Sequence, residues 1–225
     1  MRRFFFFLSF MLCCLQSAKV AAQSHFFKDD PRVFYGGIVA GMNICQVDGD
    51  GYGGYHKAGL NIGACVYAQF SPALGVSMEL LYAQKGSRDV SETYSPYIGQ
   101  YFAGYYLDLN YVEVPVMFNF FTNHKLHASI GGSFSRLLKS KEDLTIDQGY
   151  AIDPDKYYFN KNEVSYLAGL SYQLYKGLFV NLRYQYSINT IRPAERAIVG
   201  WGIDERNHLL NLRLVLLMGS AKDGE

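Results

Sequence analysis

Four charged residues of this 225-residue chain sit where charge is hardest to keep. Glu79, Glu113, Arg183 and Arg213 each fall on the polar side of a run in which polar and apolar residues alternate. A buried charge is tolerated when it is paired and hydrogen-bonded. Two acids and two bases also cancel, so the same side chains can neutralise one another in a dry interior. Mutual pairing predicts a salt-bridged plug. The functional alternative is a narrow ion path or a proton-sensitive gate.

The other candidates for chemistry are thinner. His56 and His208 fall near the ends of alternating runs, but neither is placed opposite a nucleophile, and no G-x-S-x-G motif occurs. His124 and His127 fall at a turn at the other end of the runs. Asp48-Gly49-Asp50-Gly51 resembles the start of a calcium loop but lacks the later carboxylates and the closing Glu, and so reads as a Gly/Asp turn. Cys45 and Cys65 fall on neighbouring runs roughly eight pairing positions apart, beyond disulfide reach, and are expected to be unpaired thiols. No catalytic, cofactor-binding or metal-binding set emerges, and the chain is expected not to be an enzyme.

The elements that position these residues announce themselves in Glu163 to Asn189. Leu178, Val180, Leu182, Tyr184, Tyr186 and Ile188 share one face of a strand, and Phe179, Asn181, Arg183, Gln185, Ser187 and Asn189 the other. A tight turn, Tyr175-Lys176-Gly177, joins this strand to a preceding one of the same kind. Soluble strands usually run to about five or six residues, whereas tilted runs of about eleven suit a bilayer-spanning barrel. The oily face then meets lipid and the polar face the lumen. Further runs of this type cover Phe34–Ile44, Ala58–Phe70, Leu74–Gly86, Tyr106–Phe120, Leu126–Leu138 and Asn207–Met218. Pro115, inside one of them, requires a bulge or a locally broken pair.

The expected fold is therefore all-β: an eight-stranded antiparallel up-and-down transmembrane β-barrel over 34–218. Its connections alternate long and short, as in outer-membrane barrels with long extracellular loops and short periplasmic turns, which places both termini in the periplasm. A lipocalin-type carrier would put oil inside, where this chain puts Glu79, Glu113, Arg183 and Arg213. The long loops, expected at Cys45–Lys57, Ser87–Tyr105, Lys139–Lys161 and Thr190–Arg206, are aromatic. Tyr97, Tyr101, Phe102, Tyr157, Tyr158, Arg192, Arg196 and Trp201 are of the types enriched in binding hot spots, and are candidate partner-loop residues. Interface girdle and lipopolysaccharide contact is the equal alternative.

The N-terminus sets the compartment. Arg2-Arg3, the apolar run Phe4 to Leu15 and the small residues Val20-Ala21-Ala22 form a secretory signal peptide over 1–22, too short to span a membrane. A lipoprotein reading of Cys13 or Cys14 fails because Leu12 or another Cys precedes each. A short periplasmic segment, 23–33, leads into the barrel, and a polar tail, 219–225, follows it. Net charge of +1 leaves no nucleic-acid footprint. Nineteen Tyr and sixteen Phe are many for a soluble domain and suit interfacial girdles. The expected location is the outer membrane, with its lipid and lipopolysaccharide as partners.

Several stretches, taken in order, resemble the PorT-like family of outer-membrane β-barrel proteins common in Bacteroidetes. They are Gly36-Gly37-Ile38-Val39-Ala40-Gly41-Met42-Asn43, Glu79-Leu80-Leu81-Tyr82-Ala83-Gln84-Lys85-Gly86, Tyr111-Val112-Glu113-Val114-Pro115, and the hairpin carrying Arg183-Tyr184. The resemblance implies a barrel that tolerates Pro115 and, through the family's namesake, participation in type IX protein secretion alongside other envelope proteins. It assigns no catalytic or binding residue. One departure is the end of the last strand, where outer-membrane barrels often carry an aromatic and this chain has Leu217-Met218. The expected role is an accessory or structural one in an envelope assembly; the alternatives are a narrow pore for ions or small solutes and a surface adhesin using the aromatic loops.

Overall fold

The computed structural model describes residues 34–89, 93–95, 100–102, 104–122, 125–145, 157–197 and 203–218. The expected signal peptide and N-terminal segment, Tyr97, His124, Trp201 and the tail 219–225 lie outside the described residues. The alternating runs are strands: β1 (Phe34–Asp48), β2 (Lys57–Gln69), β3 (Leu74–Asp89), β6 (Gly104–Phe121), β7 (Leu126–Thr145), β8 (Asn162–Tyr175), β9 (Leu178–Ser187) and β10 (Arg206–Met218). Each pairs antiparallel with its neighbour in the chain, and β10 returns to β1, closing an eight-stranded barrel. Two short strands, β4 (Thr93–Ser95) and β5 (Gln100–Phe102), form a separate hairpin between β3 and β6.

The faces follow the period-two pattern. Leu80, Phe118, Ile130 and Leu170 point out and are each more than half exposed, while Glu79, Met117, Ser129 and Gly169 alternate with them on the inner side. Water-soluble proteins rarely expose a contiguous apolar patch beyond roughly a few hundred Å². Here apolar side chains cover every barrel strand, which only lipid accommodates without penalty. Closure leaves the barrel no open edge, so its ladder groups pair within the wall except beside Pro115. Among the described residues no helix is long and apolar enough to cross a membrane; this chain crosses with strands.

Two local irregularities have distinct causes. The β3–β6 register pairs Met78 with Val116 and resumes at Leu81 with Glu113, so Glu79 and Leu80 have no β6 partner. Pro115 has no N–H to donate, and the ladder breaks there on the β3 side while Pro115 still pairs with Ser133 on the β7 side. The second irregularity is a bulge. Pairing passes from Tyr111↔Leu137 to Asn110↔Lys139, leaving Leu138 extra and reversing the in–out alternation beyond it.

That bulge explains where the expected loop boundaries were wrong. A strict alternation reading ends the strand at Leu138, yet β7 runs to Thr145, so Lys139–Thr145 belong to the wall and not to the loop. Likewise β1 continues to Asp48 and β3 to Asp89, shortening the first and second loops. At the other end the hairpins are tight. Lys176 and Gly177 alone turn β8 into β9, with Gly177 at φ +73°, a conformation that favours glycine.

Candidate functional site

The lumen holds two charged clusters in the middle, and the four residues singled out by sequence divide between them. Glu79 of β3 accepts from both Arg183 of β9 (Nη2 at 2.7 Å and Nη1 at 3.0 Å) and Arg213 of β10 (Nη1 at 2.7 Å). Arg213 also donates to Asn181 Oδ1, at 3.0 Å from Nε and 2.6 Å from Nη2. Glu113 takes no part in this pairing. Its partner is Lys85, at 2.8 Å, and Lys85 Nζ also lies 3.2 Å from Glu163. Gln185 and Ser135 donate to Glu113, and Ser165, Ser187 and Asn207 to Glu163. All six ionic residues are buried, and their charges cancel.

Apolar layers close the lumen above and below. Toward the hairpin-turn end, Tyr35, Val39, Tyr67, Leu81, Phe179 and Val215 pack together. His127 lies against Tyr67, Phe121 and Phe179 there, with ring centroids 6.3, 5.3 and 5.6 Å away. Toward the long loops, Tyr105, Leu107, Leu109, Tyr111, Phe159 and Ile191 form a second cluster. An eight-stranded interior is about wide enough for side chains to fill, and these side chains fill it. Cys45 and Cys65 are free and buried, on different rungs: Cys45 pairs with Lys57 and Cys65 with Gly37.

Over the upper layer the long loops form a cap built on Arg192. Arg192 and Glu205 face each other in an isolated antiparallel bridge, with Ile191 N–H donating to Glu205 O and Glu205 N–H to Arg192 O, each at 2.8 Å. The guanidinium donates to Glu205 through Nε (3.0 Å) and Nη2 (2.8 Å), and to Glu142 of β7 through Nη1 (2.7 Å) and Nη2 (2.8 Å). It also reaches Tyr157 O and lies 4.3 Å from the centroid of the Phe159 ring. Tyr105 of β6 donates its hydroxyl to Glu142 at 2.8 Å and stacks on Tyr52 of the first loop. Glu142 escaped the sequence reading because the Leu138 bulge turns it inward, against the expected alternation.

Asp50, expected to sit in a plain Gly/Asp turn, is fully buried beneath this cap. Its Oδ1 accepts from Tyr52 N–H at 2.8 Å, while Oδ2 has no hydrogen bond of good geometry among the described residues. Burial pushes Asp50 up to about 7, against the hydrogen bonds of Ser87 and Tyr52 and the pull of Arg192. Burial pushes Glu205 up to about 7 as well. Arg192 pulls it down, but a single guanidinium is shared with Glu142, and Glu142 and Asp50 both add to the rise. Among the described residues no group of His, Cys, Asp and Glu is arranged to hold a metal ion.

Of the candidate partner-loop residues, Arg192 and Tyr157 are buried in the cap and offer no surface in this state. Tyr158 is 55% exposed, with Arg196 stacked 4.1 Å from its ring centroid and anchored on Tyr158 O and Asn160 Oδ1. Tyr101 and Phe102 fall on β5. On the outer wall His208 meets Tyr55 (Nε2 to hydroxyl, 2.8 Å) and lies edge-on to Tyr184 and Tyr186, with Asp48 at 3.6 Å. That aromatic cluster belongs to the girdle expected at a membrane interface. Lower down, a groove of about 470 Å³ crosses the lipid-facing wall over Ala128, Ala168 and Leu182.

A closed antiparallel barrel, apolar outside and charge-neutral inside, defines a transmembrane β-barrel protein. The model of the outer membrane protein beta-barrel domain family matches residues 22–192, and the chain belongs to that family. Its place is the outer membrane. No curated protein matches the chain by sequence. Among solved structures it is similar to Ail, the attachment invasion locus protein of Yersinia pestis, at 15% identity and TM-score 0.45, over 83% of this chain and 100% of that one. It is similar to Neisserial surface protein A at 11% identity and TM-score 0.44, over 82% and 97%. Outer membrane protein OprG of Pseudomonas aeruginosa gives 12% and 0.37, over 83% and 95%. The architecture rests on the strand register itself, not on these likenesses.

Proposed function

We propose that this protein is a non-enzymatic accessory or structural component of an outer-membrane assembly, meeting its partner through the extracellular cap. The observation that carries this reading is the sealed lumen. Six buried charges cancel between two apolar layers, so the barrel makes a poor conduit. A preorganised cap costs less to order on binding than free loops would, and Arg192 supplies that order. Among the described residues, Tyr158 and Arg196 form an exposed aromatic–cation pair on the cap.

The assembly we favour is a protein-secretion apparatus of the type IX kind. That assignment rests on the resemblance to the PorT-like family, and both termini then lie in the periplasm. The decisive experiment compares a deletion strain with wild type by proteomics of the culture medium and the outer membrane. Secreted proteins accumulating in the periplasm, with other barrels at normal levels, support the reading. Unchanged secretion removes it. Planar-bilayer conductance of the purified barrel tests the narrow-pore alternative: currents altered by Glu79→Gln or Arg183→Gln would replace the accessory role with a pore. Loss of surface binding on loop deletion, with secretion intact, would point to an adhesin.

A further inference from the structure

We propose that the extracellular cap is a pH-operated clasp, shut while Asp50 and Glu205 hold protons and released when both are ionised around the single cation Arg192, which Glu205 shares with Glu142. This does not depend on which partner the cap meets. It follows from a charge imbalance that the rest of the interior lacks.

The fourth loop contributes Arg192 and Glu205, and β7 contributes Glu142. From β6 comes the Tyr105 hydroxyl, already donated to Glu142, and from β3 the Ser87 side chain beside Asp50. The first loop brings Asp50 itself, with Asp48 near it, and the third brings Tyr157 O and the Phe159 ring. Three acids thus face one guanidinium, and Arg192, Glu205 and Asp50 have no solvent exposure. Glu142 and Glu205 consume the hydrogen-bonding capacity of Arg192, which leaves Asp50 Oδ2 without a well-aligned donor. A proton on that oxygen removes the uncompensated charge.

The direction with pH follows. Asp50 and Glu205 are both pushed above the ordinary carboxylate range, to about 7, so the shut cap binds more protons than the open one. Its stability relative to the open form is therefore greatest at low pH and falls as pH rises toward 7, levelling once both groups are ionised. Arg192 stays charged throughout, held well above its ordinary value by Glu205, Tyr105 and Glu142 despite its burial. Release separates Arg192 from its carboxylates and uncovers Ile191 and Phe159, which are now buried, as new apolar surface.

The test uses the full-length barrel in lipid vesicles, with Cys45 and Cys65 replaced by Ala. A single reporter is introduced as Ile191→Cys inside the cap, or as Ile203→Cys on its exposed surface, and each is reacted with a charged thiol reagent. The ratio of the two rates cancels the intrinsic pH dependence of the thiol. The expected result is a ratio rising at least about tenfold between pH 5 and 8, with most of the rise below pH 7. Adding Asp50→Asn and Glu205→Gln should flatten it, with the gel mobility of the unheated protein confirming a folded barrel. A ratio that stays level or falls with pH in the parent overturns the proposal without recourse to the acid variants. Persistence of the rise in the double variant overturns it as well.

Discussion

The middle of the lumen and the cap above it are both built from buried ion pairs, yet they are not the same kind of device. In the middle, Glu79 holds Arg183 and Arg213 while Glu113 and Glu163 share Lys85, so three acids balance three bases. The partners stand on strands fixed by ladders on both sides. In the cap, Glu142 and Glu205 share Arg192, and Asp50 has none of its own. Three of those four stand outside the barrel strands. Compensation on rigid strands makes a permanent seal, whereas an unbalanced set on loops makes a closure that can be undone.

Glu79→Ala strikes the seal hardest. It strands two buried guanidiniums, and removing one partner of a buried pair typically costs about 3–5 kcal/mol. The urea midpoint of the barrel in lipid should fall accordingly, while joint replacement of Glu79, Arg183 and Arg213 by apolar residues should cost far less. Arg192→Met comes next. It should make the third and fourth loops sensitive to added protease and leave the barrel midpoint little changed, because the cap can open without unpairing a strand. A fall in midpoint equal to that of Glu79→Ala would erase the distinction between the two regions.

Gly86 lies at φ +130°, and a Cβ there would run into the Leu107 carbonyl on β6 and come within 3.3 Å of Lys57 Cε, which passes over it to reach Asp108 at 2.8 Å. Gly86→Ala should lower the unfolding free energy by about 1–3 kcal/mol through backbone strain and the contact with the Leu107 carbonyl, read as a lower urea midpoint. Lys141→Ala removes an exposed pair with Asp143 and should shift nothing measurable in the same titration.

Period two made the wall legible: Leu178 to Ser187, or Leu74 to Tyr82, can be sorted into lipid and lumen faces without any coordinates. It also placed Glu79, Arg183 and Arg213 inward, and their meeting follows from barrel closure. Period two could not pair Glu113 with Lys85, since strand tilt decides which inward residues share a height. Glu142 was hidden by one extra residue, Leu138, because a bulge leaves no mark on composition. Asp50 was hidden differently. A short acidic turn reads as solvated unless something covers it, and what covers it comes from three separate loops.

The pairing of β1 with β10 has a consequence for assembly. Gly36 meets Met218 and Asp48 meets Arg206, so the closing seam joins the most distant parts of the barrel sequence. Contacts of such long separation are slow to form, since loop closure must precede any gain. Until the seam forms, the sheet has two raw edges whose amides lipid cannot satisfy. The wall therefore cannot be completed piecemeal from its first strands, and the lipid-facing barrel comes into being only as its last strand docks.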